Sequence, residues 1–347
     1  MAKKKSSRFK SLSDIQPSLM VRTVPTVDAL LGGGVRMGQI MEILSEPSVG
    51  KTTLSLYIAK CVQDEYDVPV ALIDTEYRLG KEFLDRIGLN PGRTWVYQAE
   101  KPDDLSASTI TNLALNVLRK EKVVLIIDSI TNLIPDSELE GGGRIGEQAA
   151  IISRFVRHAS PLCAVHNSLC ICINQWRSQI RGMGQKPTPT GGYALAHLVS
   201  TKIVLFKGSD ILHGGDIMGH EVHVAIKKSL TSPPTPSVAP KTLLSFPLLY
   251  SEGVDYVGDL ANWLLRLGMA VRRGSWYEIE LEGELLKVQG WWQLRETLKG
   301  SNLLGKVQHS VYELIGTGSN VGTRKTLQAS QVRQQADEYV SSGDEDR

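Results

Sequence analysis

Cysteine is sparse in this 347-residue chain, and its spacing pairs none of it. Cys61, Cys163, Cys170 and Cys172 form no C-x-x-C motif, which argues against a disulfide scaffold, a redox pair or a zinc site. In the apolar run "CICIN" a two-residue spacing puts Cys170 and Cys172 on one face of a strand, as small buried hydrophobes. Long apolar runs are missing too. No stretch nears the roughly 20 residues of a membrane span, and the basic start "MAKKKSSRFK" lacks the apolar segment of a secretory signal. A cytoplasmic location is the default expectation. Net charge is almost absent at +2, which leaves nucleic acid open as a partner because a binding footprint is local. Positive charge gathers in the first ten residues and around 177–186, while the chain closes on "DEDR".

What is present is an ordinary globular composition, 41% hydrophobic and 22% charged, long enough for a large domain with a smaller companion. After a basic arm (1–20) come strands alternating with helices. "GQIMEIL" reads as a strand, "KTTLSLYIAKCVQDE" as a helix, "VPVALIDTE" as a strand and "KEFLDRIG" as a helix. "TWVYQ", a helix over 104–120, "KVVLIIDSI", a helix over 147–164 and "LCICINQ" continue the series. This order predicts an α/β fold with a mostly parallel sheet covered on both faces. From about 198 the strands come without long helices, an antiparallel extension of the same sheet. "SPPTPSVAPK" (232–241) is a proline-rich connection. Residues 21–258 are thus expected to form the core, 259–316 a small α/β domain and 317–347 a disordered tail.

The strand-to-helix step at 43–54, "ILSEPSVGKTTL", is nearly the phosphate-binding loop G-x-x-x-x-G-K-[ST], with Ser45 in place of the first glycine. Backbone N–H groups from Glu46 through Ser48, Val49 and Thr53 (Pro47 excepted) would wrap phosphates at a helix N-terminus. Gly50 permits close approach, Lys51 reaches the β- and γ-phosphates, and Thr52 supplies a hydroxyl to Mg²⁺. The first glycine mainly starts the turn, so serine fits if its φ stays negative. Asp128, ending the apolar strand "VVLIIDS", suits the metal's shell. Glu76, ending "ALIDTE", is placed to polarise an attacking water; Asp74 is the competing candidate, with a structural role the other option.

"VDALLGGGVRMGQIMEILSEPSVGKTTL", "ALIDTE", "LIIDSI", "CINQWRSQI" and "PTPTGGYAL" stand in an order and spacing that resemble the bacterial and phage RecA recombinases. "YSEGVDYVGDLANWLLRLGMAVRRGSWYEI" resembles that family's link into its C-terminal domain, so the likeness runs from about 22 to 315. The resemblance implies a RecA-type ATPase core and a filament of protomers on single-stranded DNA, pairing it with homologous duplex, with ATP and Mg²⁺ between neighbours. By position it places a first DNA loop at 138–147, including Arg144, with Ser153 and Arg157 on the helix that follows. A second loop falls at 176–192. It implies that Gln175 senses the γ-phosphate and that Phe83 stacks on the base. Lys227 and Lys228 fall near the lysines that reach a neighbour's ATP, although the family's K-x-K spacing is not reproduced.

The second loop also makes chemical sense by itself. Arg177 and Arg181 can neutralise phosphates, and Gln179, Thr190, Gly191 and Gly192 can bond phosphate oxygens. Ile180 and Met183 can wedge between base steps; the alternative is a surface loop with incidental arginines. Phe83 at the base-stacking position, the shorter first loop, a shorter N-terminal region and the proline-rich segment 232–241 mark a divergent member. The expected activity is a single-stranded-DNA-dependent ATPase and recombinase. The rivals are a hexameric helicase or motor on the same core, and an accessory DNA-binding regulator without turnover.

Overall fold

In the computed structural model of the chain, residues 18–316 are described, except 140, 144–145, 178–187, 190–194, 196–197, 234–242, 282–283 and 301. Most of the basic arm, the tail from 317 and most of the proline-rich connection therefore lie outside the described residues.

A short ribbon comes first: β1 (Met20–Val21) pairs antiparallel with β2 (Val35–Arg36), and α1 (Pro25–Leu30) sits between them with proline at its first turn. Helix α1 was not anticipated, because six residues carry too little periodicity to register. The main sheet follows. Strands β3 (Gln39–Ser45), β4 (Val70–Asp74), β5 (Thr94–Tyr97), β6 (Val124–Asp128), β7 (Leu169–Arg177) and β9 (Thr201–His213) lie parallel, in the order β9-β3-β7-β6-β4-β5. The two-residue β8 (Thr188–Pro189) pairs antiparallel with β7. Beyond β9, the strands β10 (Asp216–Lys228), β11 (Ser245–Leu249) and β12 (Gly253–Val254) continue antiparallel, as the change of texture near 198 implied.

Alternation along the strands sends neighbouring residues to opposite faces. Met41, Ile43, Leu72, Ile126 and Ile173 pack toward α2 (Lys51–Tyr66) and α3 (Lys81–Ile87). Ile40, Ile73, Leu125, Cys170 and Cys172 pack toward α4 (Ala107–Lys120) and the long helix over 147–166. Both cysteines are fully buried on one face, and a side-chain hydrogen bond with Cys172, together with burial, raises the Cys170 thiol well above its usual range. That long helix is α6 (Glu147–His166), and a single turn, α5 (Asp136–Leu139), precedes it.

The C-terminal part has its own core around Trp263, Ile279, Leu294 and Val311. It comprises α7 (Tyr256–Arg266), the sheet β13 (Ala270–Arg273), β14 (Trp276–Leu281) and β15 (Glu284–Gln289), then α8 (Trp291–Gly300) and α9 (Leu303–Gly316). The expected hairpin thus carries a third strand, and the boundary expected at 258/259 falls inside α7. Buried polar contacts clasp α1 to this part. The Thr26 N–H and hydroxyl donate to Asp259 at 2.8 Å each, and Tyr312 donates to Asp28 at 2.7 Å. Burial pushes the Asp28 carboxyl up to about 7 and that of Asp259 to about 8, against the hydrogen bonds that favour their charged forms.

Candidate active site

The phosphate loop begins where the buried strand β3 ends, since Pro47 has no N–H to continue the ladder. Ser45 is fully buried and is not among the residues with positive φ. The left-handed positions fall later, at Ser48 (φ 60°) and Gly50 (φ 115°). A Cβ on Gly50 would lie 2.5 Å from Leu248 Cδ1, so that position needs glycine for space and for conformation. Helix α2 starts at Lys51, and its first amides have no partner within the helix, which creates an anion site. The Val49 side chain points into the core, leaving its backbone to the loop.

Lys51 is folded back on the loop. Its ammonium donates to the Glu46 carbonyl at 2.8 Å and the Ser45 hydroxyl at 3.1 Å, with the Ser45 carbonyl at 3.4 Å. Burial lowers its pKa, while the charges of Asp128 and Glu76 oppose that shift. The Thr52 hydroxyl donates to Asp128 at 2.6 Å. Burial raises the Asp128 carboxyl to about 6; the Thr52 bond works against this, and the charges of Glu76 and Asp74 add to it.

Glu76 sits at the centre of a web. Its Oε1 accepts from Gln175 Nε2 at 2.6 Å and from the Ser129 hydroxyl at 2.9 Å, while Arg78 pairs with Oε2 at 3.0 Å. Asp74 is occupied otherwise. It accepts the N–H of Glu76 at 3.1 Å, that of Leu79 at 2.9 Å and the Gln98 amide at 2.8 Å. Its contacts are those of a structural residue that holds the Glu76 turn.

Gly50, Lys51, Thr52, Glu76, Asp128 and Gln175 line a cleft of about 340 Å³, within the range of small-molecule sites. Phe83 is on its wall, as are several residues that sequence reasoning passed over, among them Arg78, Arg86, His220 and Tyr250. His220 shares a hydrogen bond of 3.1 Å with the Val49 carbonyl and tilts against the Tyr250 ring, and burial lowers its pKa. The aromatic pair His220–Tyr250, from the antiparallel extension, carried no local signal beside the loop. Among the described residues no cluster of three or more His, Cys, Asp or Glu could cage a metal. One hydroxyl and one carboxylate do fit Mg²⁺, which is commonly held by few protein ligands together with phosphate oxygens.

The expected DNA contacts are only partly described. Ser153 is half-buried and Arg157 exposed, one turn apart on α6. Arg177 ends β7. Arg144, Gln179, Ile180, Arg181, Met183, Thr190, Gly191 and Gly192 lie outside the described residues. Lys227 and Lys228 close β10 and do not line this chain's cleft.

A parallel α/β sheet with a phosphate loop at the end of a central strand and acids on the strands beside it defines a P-loop nucleotide-site class. Residues 13–255 match the family described as the RecA N-terminal domain. Protein RecA of Chlorobium limicola is 31% identical over 263 residues, 74% of this chain and 72% of the relative. Protein RecA of Aquifex aeolicus is 29% identical over 327 residues, covering 90% and 89%. Protein RecA of Mycoplasma mycoides is 32% identical over 261 residues, covering 74% and 72%. The chain belongs to the RecA family. No described helix is long and apolar enough to cross a membrane.

Proposed function

We propose that the protein is an ATPase stimulated by single-stranded DNA, which polymerises on that DNA and carries out homologous pairing and strand exchange. The observation that carries this reading is the Gln175–Glu76 contact of 2.6 Å. One residue bonds the candidate base and stands two positions before the end of β7, whose last residues, Trp176 and Arg177, lead into the candidate DNA loop over 176–192. DNA that orders this loop has a direct route to the Glu76 carboxylate, provided both ligands favour the same conformer.

The chemistry asks for little else. Lys51 exchanges its loop carbonyls for phosphate oxygens, and the amides at the start of α2 take the rest of the charge. Thr52 and Asp128 would hold Mg²⁺, which would supply charge neutralisation for the phosphates. Glu76 orients a water toward the γ-phosphorus and takes its proton as the bond to the bridging oxygen of ADP breaks. Phe83 and Tyr250 flank the base. Lys227 and Lys228 are assigned to the neighbouring protomer's nucleotide, Ser153, Arg157 and the 176–192 segment to DNA. The core runs from 21 to the start of α7 and the smaller domain from α7 to 316, and the protein works in the cytoplasm.

A reading without turnover rests on Ser45. The absence of positive φ there weighs against it, since serine meets no strain that glycine would relieve. The test is steady-state ATP hydrolysis by the full chain with and without single-stranded DNA, beside Lys51→Ala. Stimulation by single strands that the variant loses is expected. DNA binding without turnover would return the protein to the accessory class.

A further inference from the structure

Beneath Gln175 lies a polar chain buried in the sheet, and no step proposed above uses it. Glu42 in β3 and Asn174 in β7 are fully buried. Asn174 Nδ2 donates to Glu42 Oε1 at 2.8 Å. The other Glu42 oxygen faces Lys202 of β9, 2.8 Å away, as an ion pair whose angles fall short of a hydrogen bond. On its far side, Asn174 Oδ1 accepts the backbone N–H of Gln175 at 2.8 Å and the Thr131 hydroxyl at 3.3 Å. The Thr131 carbonyl is in turn held by Gln148 of α6 at 3.0 Å. Three adjacent strands therefore contribute one residue each to a line that ends on the amide of Gln175.

The chemistry of the line fixes its direction. An ionised carboxylate only accepts, so Glu42 draws the Asn174 NH₂ toward itself. The amide oxygen is then turned to Gln175 and Thr131, which present donors. Lys202, 2.8 Å from the second Glu42 oxygen, supplies the opposite charge that a buried carboxylate calls for. A buried ion pair is a poor source of stability, and a hydrophobic pair of similar volume often does as well. Its use here is one of orientation.

We propose that Lys202, Glu42 and Asn174 are positioning residues that set the end of β7 so that the Gln175 side chain reaches Glu76, and that they transmit DNA binding to turnover. This rests on the DNA-stimulated ATPase reading above. Removing the charge from Glu42 frees the Asn174 amide to turn over, and Gln175 loses its fixed anchor. The cost falls on coupling, since none of the three lines the nucleotide cleft.

The test compares the full chain with Glu42→Gln and with the double variant Glu42→Gln/Lys202→Met, which leaves no unpaired buried charge. Fluorescent-ATP affinity, hydrolysis without DNA and hydrolysis with saturating single-stranded DNA are measured for each. Both variants are expected to bind nucleotide as the wild type does and to lose up to about 10²-fold of the DNA stimulation, the scale of a misplacement of about 1 Å near reacting groups. A merely structural pair gives a different pattern, because the neutral double variant then recovers full stimulation, and that recovery would overturn the relay alone. A wild type indifferent to single strands would overturn the parent reading and the relay with it.

Discussion

At Ser45 a hydroxymethyl group takes the place of a hydrogen, and the loop absorbs it by giving its hydroxyl work: it accepts from Lys51 and donates to the Glu46 carbonyl. The strained backbone lies at Ser48 and Gly50, so the substitution meets no conformational penalty. Sequence alone set this condition and left its outcome open. The convergence of Lys51, Thr52, Glu76 and Asp128 was legible because Lys51 and Thr52 start a helix and Asp128 ends a strand, and neighbouring parallel strands bring their ends together. Glu76, expected at the end of its strand, lies in the turn two residues past β4. Arg78 and His220 were not legible. One is an exposed partner of Glu76 and the other arrives from a strand more than 140 positions away in the chain, with no local pattern to announce either. Glu76 is the residue on which the proposed chemistry depends most. Glu76→Gln is expected to lower kcat by roughly 10²–10⁴-fold, the usual worth of a positioned general base, while nucleotide affinity stays near wild type. Single-turnover hydrolysis beside a binding titration checks this.

Among the elements, the turn after β4 carries the most consequence. Asp74 holds it by accepting two backbone N–H groups and the Gln98 amide, which leaves Glu76 facing Gln175 and Ser129. Asp74→Ala leaves buried donors without partners, at about 1–3 kcal/mol, and loosens the turn. A lower melting temperature and a reduced kcat are expected together, and an unchanged kcat would show that the turn keeps its shape unaided. The parallel strands and flanking helices were readable from apolar runs and helical spacing. The short α1 and the third strand of the small sheet were not, because α1 takes its stability from packing and β13 from pairing with β14. Nor did periodicity separate the smaller domain cleanly, since the amphipathic α7 runs across its expected start.

For the whole molecule, the seam between α1 and the C-terminal helices sets a pH dependence. Asp28 and Asp259 have folded pKa values of about 7 and about 8 against an ordinary 3.8. The folded state therefore holds protons that the unfolded state releases, and stability falls as pH rises. The contribution is complete below 3.8 and gone once pH passes about 8. Melting curves from pH 5 to pH 9 should show a decline that Asp259→Asn flattens, and an equal slope in the variant would remove Asp259 from the explanation. The family was legible in the order of five motifs, whereas the clasp of Thr26, Asp28 and Asp259 joins residues more than 230 positions apart and became visible only in the fold.

The nucleotide residues are shared by recombinases and hexameric motors, so the product formed on DNA separates the two. The most direct measurement follows fluorescent strands as the full chain, ATP and Mg²⁺ act on single-stranded DNA and a homologous duplex, with a heterologous duplex as control. Transfer of the homologous strand, absent with the heterologous duplex and absent in Lys51→Ala, is the expected result. Unwinding of both duplexes alike, without pairing to the single strand, would contradict it.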